Sequence, residues 1–303
     1  MKCVVAVLCS AAMWQAAYAA QPEHSTSPSR QFVIYGADAK ARGAISGLAE
    51  KTKTDLLGLL RQRDDWKTPV VVNLQSQQSN LPELPPADLR FSQTGFGIKL
   101  QLDLTISKNV DVSLVERELL RAILLEMVYR NQSHITAGAL LVEPPDWLID
   151  GALALAPGRD RGALIEALGN TEKPLQLEKF LRQRPGFLDS TGRTLYRVYA
   201  FVLVQMLLDE KNGGTQLAKY IDHLYDSSND PLADLKAQFP SLTDDAERTW
   251  QLAFNRLKSL QTFRLLTFSE SDQRLDELLR VKISEPKKPE KLVRLDEIGR
   301  AHV

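Results

Sequence analysis

Glu126 is the residue whose chemistry most needs explaining. In the run 122–129, AILLEMVY, every other side chain is apolar or aromatic. A helix that is apolar all round is a buried helix, so the pattern places a carboxylate in a protein interior. There it must be paired, hydrogen-bonded or protonated, because desolvating a lone carboxylate is costly. Asp150 is the second acid of interest, in PPDWLIDGALA at 144–154. Pro144 and Pro145 suit a helix entrance and not its interior. Gly151, Ala152 and Ala154 allow another element to pack closely. If Glu126 and Asp150 converge, one acquires a raised pKa and the pair can do general acid–base work. The competing reading is that Glu126 only holds a hydrogen bond to Tyr196, Tyr199 or a buried arginine. Those two tyrosines lie in TLYRVYAFVLVQMLLDEK, 194–211, a strongly helical stretch. They are candidates to face a cleft, or core rings whose hydroxyls reach water.

These two segments together resemble the core of gluzincin metallopeptidases, in particular the peptidase-MA-like branch. That pattern has a helix carrying His-Glu-x-x-His, then a second helix opening Trp-Leu-x-Glu-Gly-x-Ala. In it two histidines and the second-helix glutamate hold zinc, while the first glutamate activates water. Laid onto this chain, the resemblance puts Leu125-Glu126-Met127-Val128-Tyr129 at the first motif and Trp147-Leu148-Ile149-Asp150-Gly151 at the second. Glu126 keeps the base position, Leu125 and Tyr129 replace both histidines, and Asp150 is one methylene shorter than the third ligand. Leucine has no lone pair to donate and neutral tyrosine is a poor zinc ligand, whereas a catalytic site wants three good donors. The expectation is a vestigial site without zinc or any other cofactor. The tyrosine-bearing helix followed by glycines also resembles the family pattern, in which such a helix packs behind the metal site and a tyrosine from it can face the cleft.

The rest of the chain offers no replacement donors. The four histidines are His24, His134, His223 and His302, and none forms an i, i+4 pair with another. Both cysteines, Cys3 and Cys9, fall in the expected signal segment 1–19, so the mature chain is expected to be free of thiols and disulfides. Gly-x-Ser-x-Gly and P-loop signatures are missing, so serine hydrolase and nucleotide-binding chemistry have no foothold. Asn131-Gln132-Ser133 is a glycosylation sequon, meaningful only in a eukaryotic secretory pathway. Basic and acidic residues balance at 38 each, and no basic block is interleaved with aromatics, so nucleic acid is not expected as a partner.

The elements that must position these residues divide the chain into four parts. Residues 1–19 read as a secretory signal: Lys2, an apolar run over 3–13, and Ala17-Tyr18-Ala19 as the small-x-small cleavage site. Leu8 before Cys9 is a poor acylation signal. Residues 20–30, polar with Pro22 and Pro28, read as a flexible leader. Residues 31–261 read as the main domain. Its first part alternates strand-like 31–35, an amphipathic helix over 37–60, β-branched 70–74, a proline loop over 81–86, and one or two strands within 95–106. Next comes the buried helix, with a capping box at Ser113 and Glu116. Beyond it, 174–181 reads as a short helix, Gly213-Gly214 as the C-cap of the 194–211 helix, and 244–260 as a further helix. Residues 262–303 form an extension: a strand at 262–268, a helix at 271–282, a linker around Pro286 and Pro289, and a short helix at 292–298.

Periodicity supports an α+β chain with a small N-terminal mixed sheet followed by a mainly helical half. The zincin-like identity of that arrangement is what the resemblance implies. Three functions fit. The first is a secreted or periplasmic pseudoenzyme that binds or scaffolds an unidentified protein or peptide. The second is a hydrolase or peptidase using a Glu126/Asp150 cleft. The third is a structural envelope protein whose C-terminal tail is the partner-binding element. No transmembrane segment is expected after signal cleavage.

Overall fold

The computed structural model describes residues 23–76, 85–94, 97–106, 111–132, 135, 141–260, 268–283 and 291–294. The expected signal sequence, residues 262–267 of the strand expected over 262–268, and the expected proline linker lie outside them, while Phe268 is helical. The chain divides into two units, Met1–Leu257 and Lys258–Val303.

The first unit opens on a five-stranded sheet: β1 (His24–Thr26), β2 (Phe32–Gly36), β3 (Val70–Ser76), β4 (Ala87–Thr94) and β5 (Gly97–Ile106). The order is β1-β2-β3-β5-β4. β2, β3 and β5 are parallel, and the edges β1 and β4 are antiparallel to their neighbours. Period-two alternation turns Phe32, Ile34, Val70, Val72, Leu74, Leu100, Leu102 and Leu104 into the core. Two helices take part in that core. The crossover α1 (Ala39–Leu60) is capped by Asp38, whose carboxylate accepts from the Ala41 N–H at 2.7 Å. After β5 comes α2 (Val112–Tyr129), buried over all of 122–129 as its composition demands.

The helical half comprises α3 (Asp146–Leu155), α4 (Gly162–Asn170), α5 (Leu177–Leu181), α6 (Ser190–Asp209), α7 (Gly213–His223), α8 (Pro231–Gln238) and α9 (Ser241–Leu260). The spine is α6, with 198–204 entirely buried. It packs against α3 closely enough that a Cβ on Gly151 would meet the Val204 side chain and, at 2.5 Å, the Ala200 carbonyl oxygen. The fold is therefore mixed α/β, a small N-terminal sheet followed by a mostly helical remainder. Among the described residues, no helix is long and apolar enough to cross a membrane.

Several local expectations are corrected. The leader is not loose from residue 23 onward. β1 pairs with β2, and Arg42, buried on α1, holds Ser25 Oγ at 3.0 Å and Glu23 at 3.0 Å. A three-residue edge strand is made by backbone groups and one distant arginine, which polar composition does not reveal. β4 lies over 87–94, polar on its exposed positions because it is an edge. Gly213 and Gly214 do not cap α6 but open α7, and the left-handed residue is Asn212, with φ 64°. The glycines are needed for close approach: a Cβ on Gly214 would lie 2.6 Å from the Leu59 carbonyl oxygen. α4 and α8 lie over 162–170 and 231–238, where no helix is expected.

In the second unit, α10 (Phe268–Leu278) ends before 282. Arg280–Ile283 instead forms β6, antiparallel to β7 (Lys291–Arg294), so 291–294 is strand rather than the start of a terminal helix. Val281, Ile283 and Val293 are β-branched, and a strand partner outweighs the weak helical periodicity.

Candidate functional site

α2 and α3 run antiparallel, and a ladder of polar contacts fixes their register. At the C-terminal end of α2, the Tyr129 hydroxyl accepts from the Val142 N–H at 2.6 Å and donates to its carbonyl at 3.2 Å. Two turns earlier, Arg121 reaches Asp146 at 3.0 Å and Glu143 at 3.4 Å. One turn earlier still, Arg117 donates to Asp146 at 2.6 Å and to Asp150. The helix itself is capped by Asp111, which accepts from Ser113 N at 3.0 Å and Leu114 N at 3.3 Å. Ser113 is thus not the cap, and Glu116 is buried in an ion pair with Arg159.

Glu126 is fully buried and spends its charge on backbone. Its Oε1 accepts from the N–H groups of Lys67 at 2.9 Å and Thr68 at 3.3 Å, the residues that lead into β3. Its Oε2 has no hydrogen-bond partner among the described residues, and the nearest cation is Arg130 Nε at 4.0 Å. Arg130 in turn donates to the Asp65 carbonyl at 2.9 Å. Burial pushes the Glu126 carboxyl above its ordinary value, while the Lys67 N–H, Arg130 and the Thr68 N–H pull it down. The expected partner classes were tyrosine or arginine. The hydrogen bonds come instead from two backbone amides, with an arginine standing off.

Asp150 is also buried, and its carboxyl too is raised by burial, against Arg117 and Arg197. It does not converge with Glu126. Arg117, its direct partner, precedes Glu126 by nine residues of α2, which is about 13 Å of helix and half a turn of rotation. The acid–base pair that the sequence left open as an alternative is therefore not formed. The link 130–145 is long enough to slide α3 back along α2, so Asp150 passes the level of Leu125 and Tyr129.

Leu125 and Tyr129 are core residues. So are the two tyrosines of α6. Tyr196 packs on Phe180 at 5.2 Å between ring centroids, with its hydroxyl near the Trp147 backbone. Burial, with Asp146 and Asp150 nearby, raises its phenol far above the ordinary range. Tyr199 sits among Phe180, Trp250 and Phe254, at 5.6, 6.2 and 6.2 Å, with its hydroxyl near the Leu175 backbone. Neither lines a cleft with Glu126.

The polar centre between the helices is made of residues the motif reading passed over: Arg117, Glu118, Arg121 and Asp146. Glu118 accepts from Arg121 Nε at 3.1 Å. The signal that finds them is the i, i+1, i+4 spacing of Arg117, Glu118 and Arg121, which sets both arginines on one face of the helix. Guanidinium groups carry five donors and no lone pair, so this donor set does not fit zinc. Among the described residues no group of three or more His, Cys, Asp or Glu side chains is placed to hold a metal ion. No protein-family model matches the chain, and no curated protein matches it.

Proposed function

We propose that this chain is a secreted or periplasmic, non-catalytic binding or scaffolding protein built on a gluzincin-like (peptidase-MA-like) framework. The observation that carries this reading is that each candidate catalytic acid already has a structural task. Glu126 holds the turn before β3, and Asp150 answers Arg117. An activating base must reach a water and a substrate, and Glu126 is sealed from both. The test is metal analysis of the purified mature protein together with a broad peptidase screen. The expected result is no stoichiometric zinc and no hydrolysis. Tightly bound zinc, or peptidase activity abolished by Glu126→Gln, overturns the reading.

A second reading places partner capture in the C-terminal unit. Lys258–Val303 is compact by itself, and α10 leaves Leu275 and Leu278 54% and 70% exposed. Deleting 262–303 should leave a folded domain that no longer captures its partner. A truncated chain that fails to fold assigns the segment to the core instead.

A further inference from the structure

We infer that Arg117, Glu118 and Arg121, with Asp150, occupy the metal-site positions of the gluzincin-like framework, two guanidinium groups standing where two imidazoles would hold a cation. This rests on the framework reading above and moves its centre eight residues back from Leu125 and Tyr129.

Three ligand positions must converge on one point. Asp150 touches Arg117, and Arg121 lies one turn away on the same face of α2. Asp146 ties the two arginines together, at 2.6 Å from one and 3.0 Å from the other. Leu125 lies eight residues beyond Arg117, about 12 Å further along the axis, and Tyr129 further still. The five residues Arg117-Glu118-Leu119-Leu120-Arg121 have the spacing of His-Glu-x-x-His, with the glutamate in its own place.

Charge supports the exchange. Two guanidinium groups carry the same double positive charge as a zinc ion, and a planar fork suits carboxylates that would otherwise repel one another. The exposures agree: Arg117 and Arg121 side chains are only 18% and 17% exposed, and Asp150 8%. Glu118, at the position of the base, is held by Arg121 Nε at 3.1 Å. The two guanidinium groups thus bridge α2 to α3 without a metal.

Two double variants of the full mature chain decide the register: Arg117→His/Arg121→His and Leu125→His/Tyr129→His. Each is titrated with Co²⁺, read by its visible absorption, and with Zn²⁺ by competition. Arg117→His/Arg121→His should bind at least about a hundredfold tighter than the unaltered chain. Adding Asp150→Asn should remove most of that gain. Leu125→His/Tyr129→His should gain nothing. If Arg117→His/Arg121→His unfolds without metal, zinc-dependent recovery of its circular dichroism supports the assignment and failure to recover overturns it. A folded variant with no gain, or a gain in Leu125→His/Tyr129→His, also overturns it. Zinc or peptidase activity in the unaltered chain would sink the proposed function, whereas the register is decided by the difference between the two variants.

Discussion

The two buried acids of this molecule, Glu126 and Asp150, solve one problem in opposite ways. Both are desolvated, and burial raises the carboxyl pKa of each. Asp150 is answered by charge: Arg117 directly, with Arg121 and Asp146 completing the cluster. Glu126 is answered by dipoles, the N–H groups of Lys67 and Thr68, with Arg130 standing off at 4.0 Å. The contrast teaches that burial alone does not mark a catalytic acid. The partner's chemistry says whether a carboxylate pins a backbone turn or balances a cation.

If the contrast is right, the largest loss should follow removal of a guanidinium. Arg117→Met strands Asp150 without its partner, and breaking a buried pair in this way costs about 3–5 kcal/mol. Urea unfolding at neutral pH measures it. A loss below about 1 kcal/mol would place the pair in the solvent-screened class and erase the distinction. The companion Arg117→Met/Asp150→Leu should recover most of the stability, because replacing both partners with apolar groups removes the stranded charge.

Glu126 should respond differently to two substitutions. Glu126→Ala orphans the Lys67 and Thr68 amides, at about 1–3 kcal/mol for each buried group left unpaired. Glu126→Gln keeps an acceptor for both and removes the poorly answered charge, so it should stay within about 1 kcal/mol of the parent. Equal losses from the two would mean that the charge, not the acceptor, is what the turn before β3 requires.

Gly151→Ala probes the packing beneath Asp150 without touching its charge. The added Cβ meets Val204 and the Ala200 carbonyl oxygen across the α3–α6 contact. Overpacking of this kind costs about 1–3 kcal/mol, and a neutral result would mean that α3 is free to shift.

The smallest effect is the pH dependence assigned to Glu126. Its folded pKa is raised from the ordinary 4.5, so the folded chain binds this proton more tightly than the unfolded one. The associated stability is full below 4.5 and is lost as pH rises through the folded value. The stability of Glu126→Gln relative to the parent should therefore rise with pH across that window and then level off. A difference that falls with pH would mean that the N–H groups and Arg130 outweigh burial.

Some of this was legible in sequence and some was not. β2, α1, β3 and α6 follow from the periodicity of a buried face, and α2 from its all-round apolar run over 122–129. β1, β4 and the β6–β7 hairpin do not, because edge strands are defined by who pairs with them, and polar residues serve there as well as apolar ones. The burial of Glu126 was legible as well, and that of Asp150 was not. Their failure to meet was not, because their separation in the chain is compatible with several registers of α3 against α2. Arg117 and Arg121 are surface-like residue types, and only their contact with Asp146 and Asp150 shows them to be central.

The amino-acid sequence by itself determined that α2 is buried on every side over 122–129 and that the carboxylate at 126 needs a partner, because apolar neighbours cannot be left in water and charge cannot be left out of it. Only the tertiary structure decided which partner. Backbone N–H donors, like those of Lys67 and Thr68, belong to every residue but proline and carry no signature in the residue letters. The same holds for the helix register: the link between α2 and α3 permits many alignments, and the ion pairs of Arg117 and Arg121 select one.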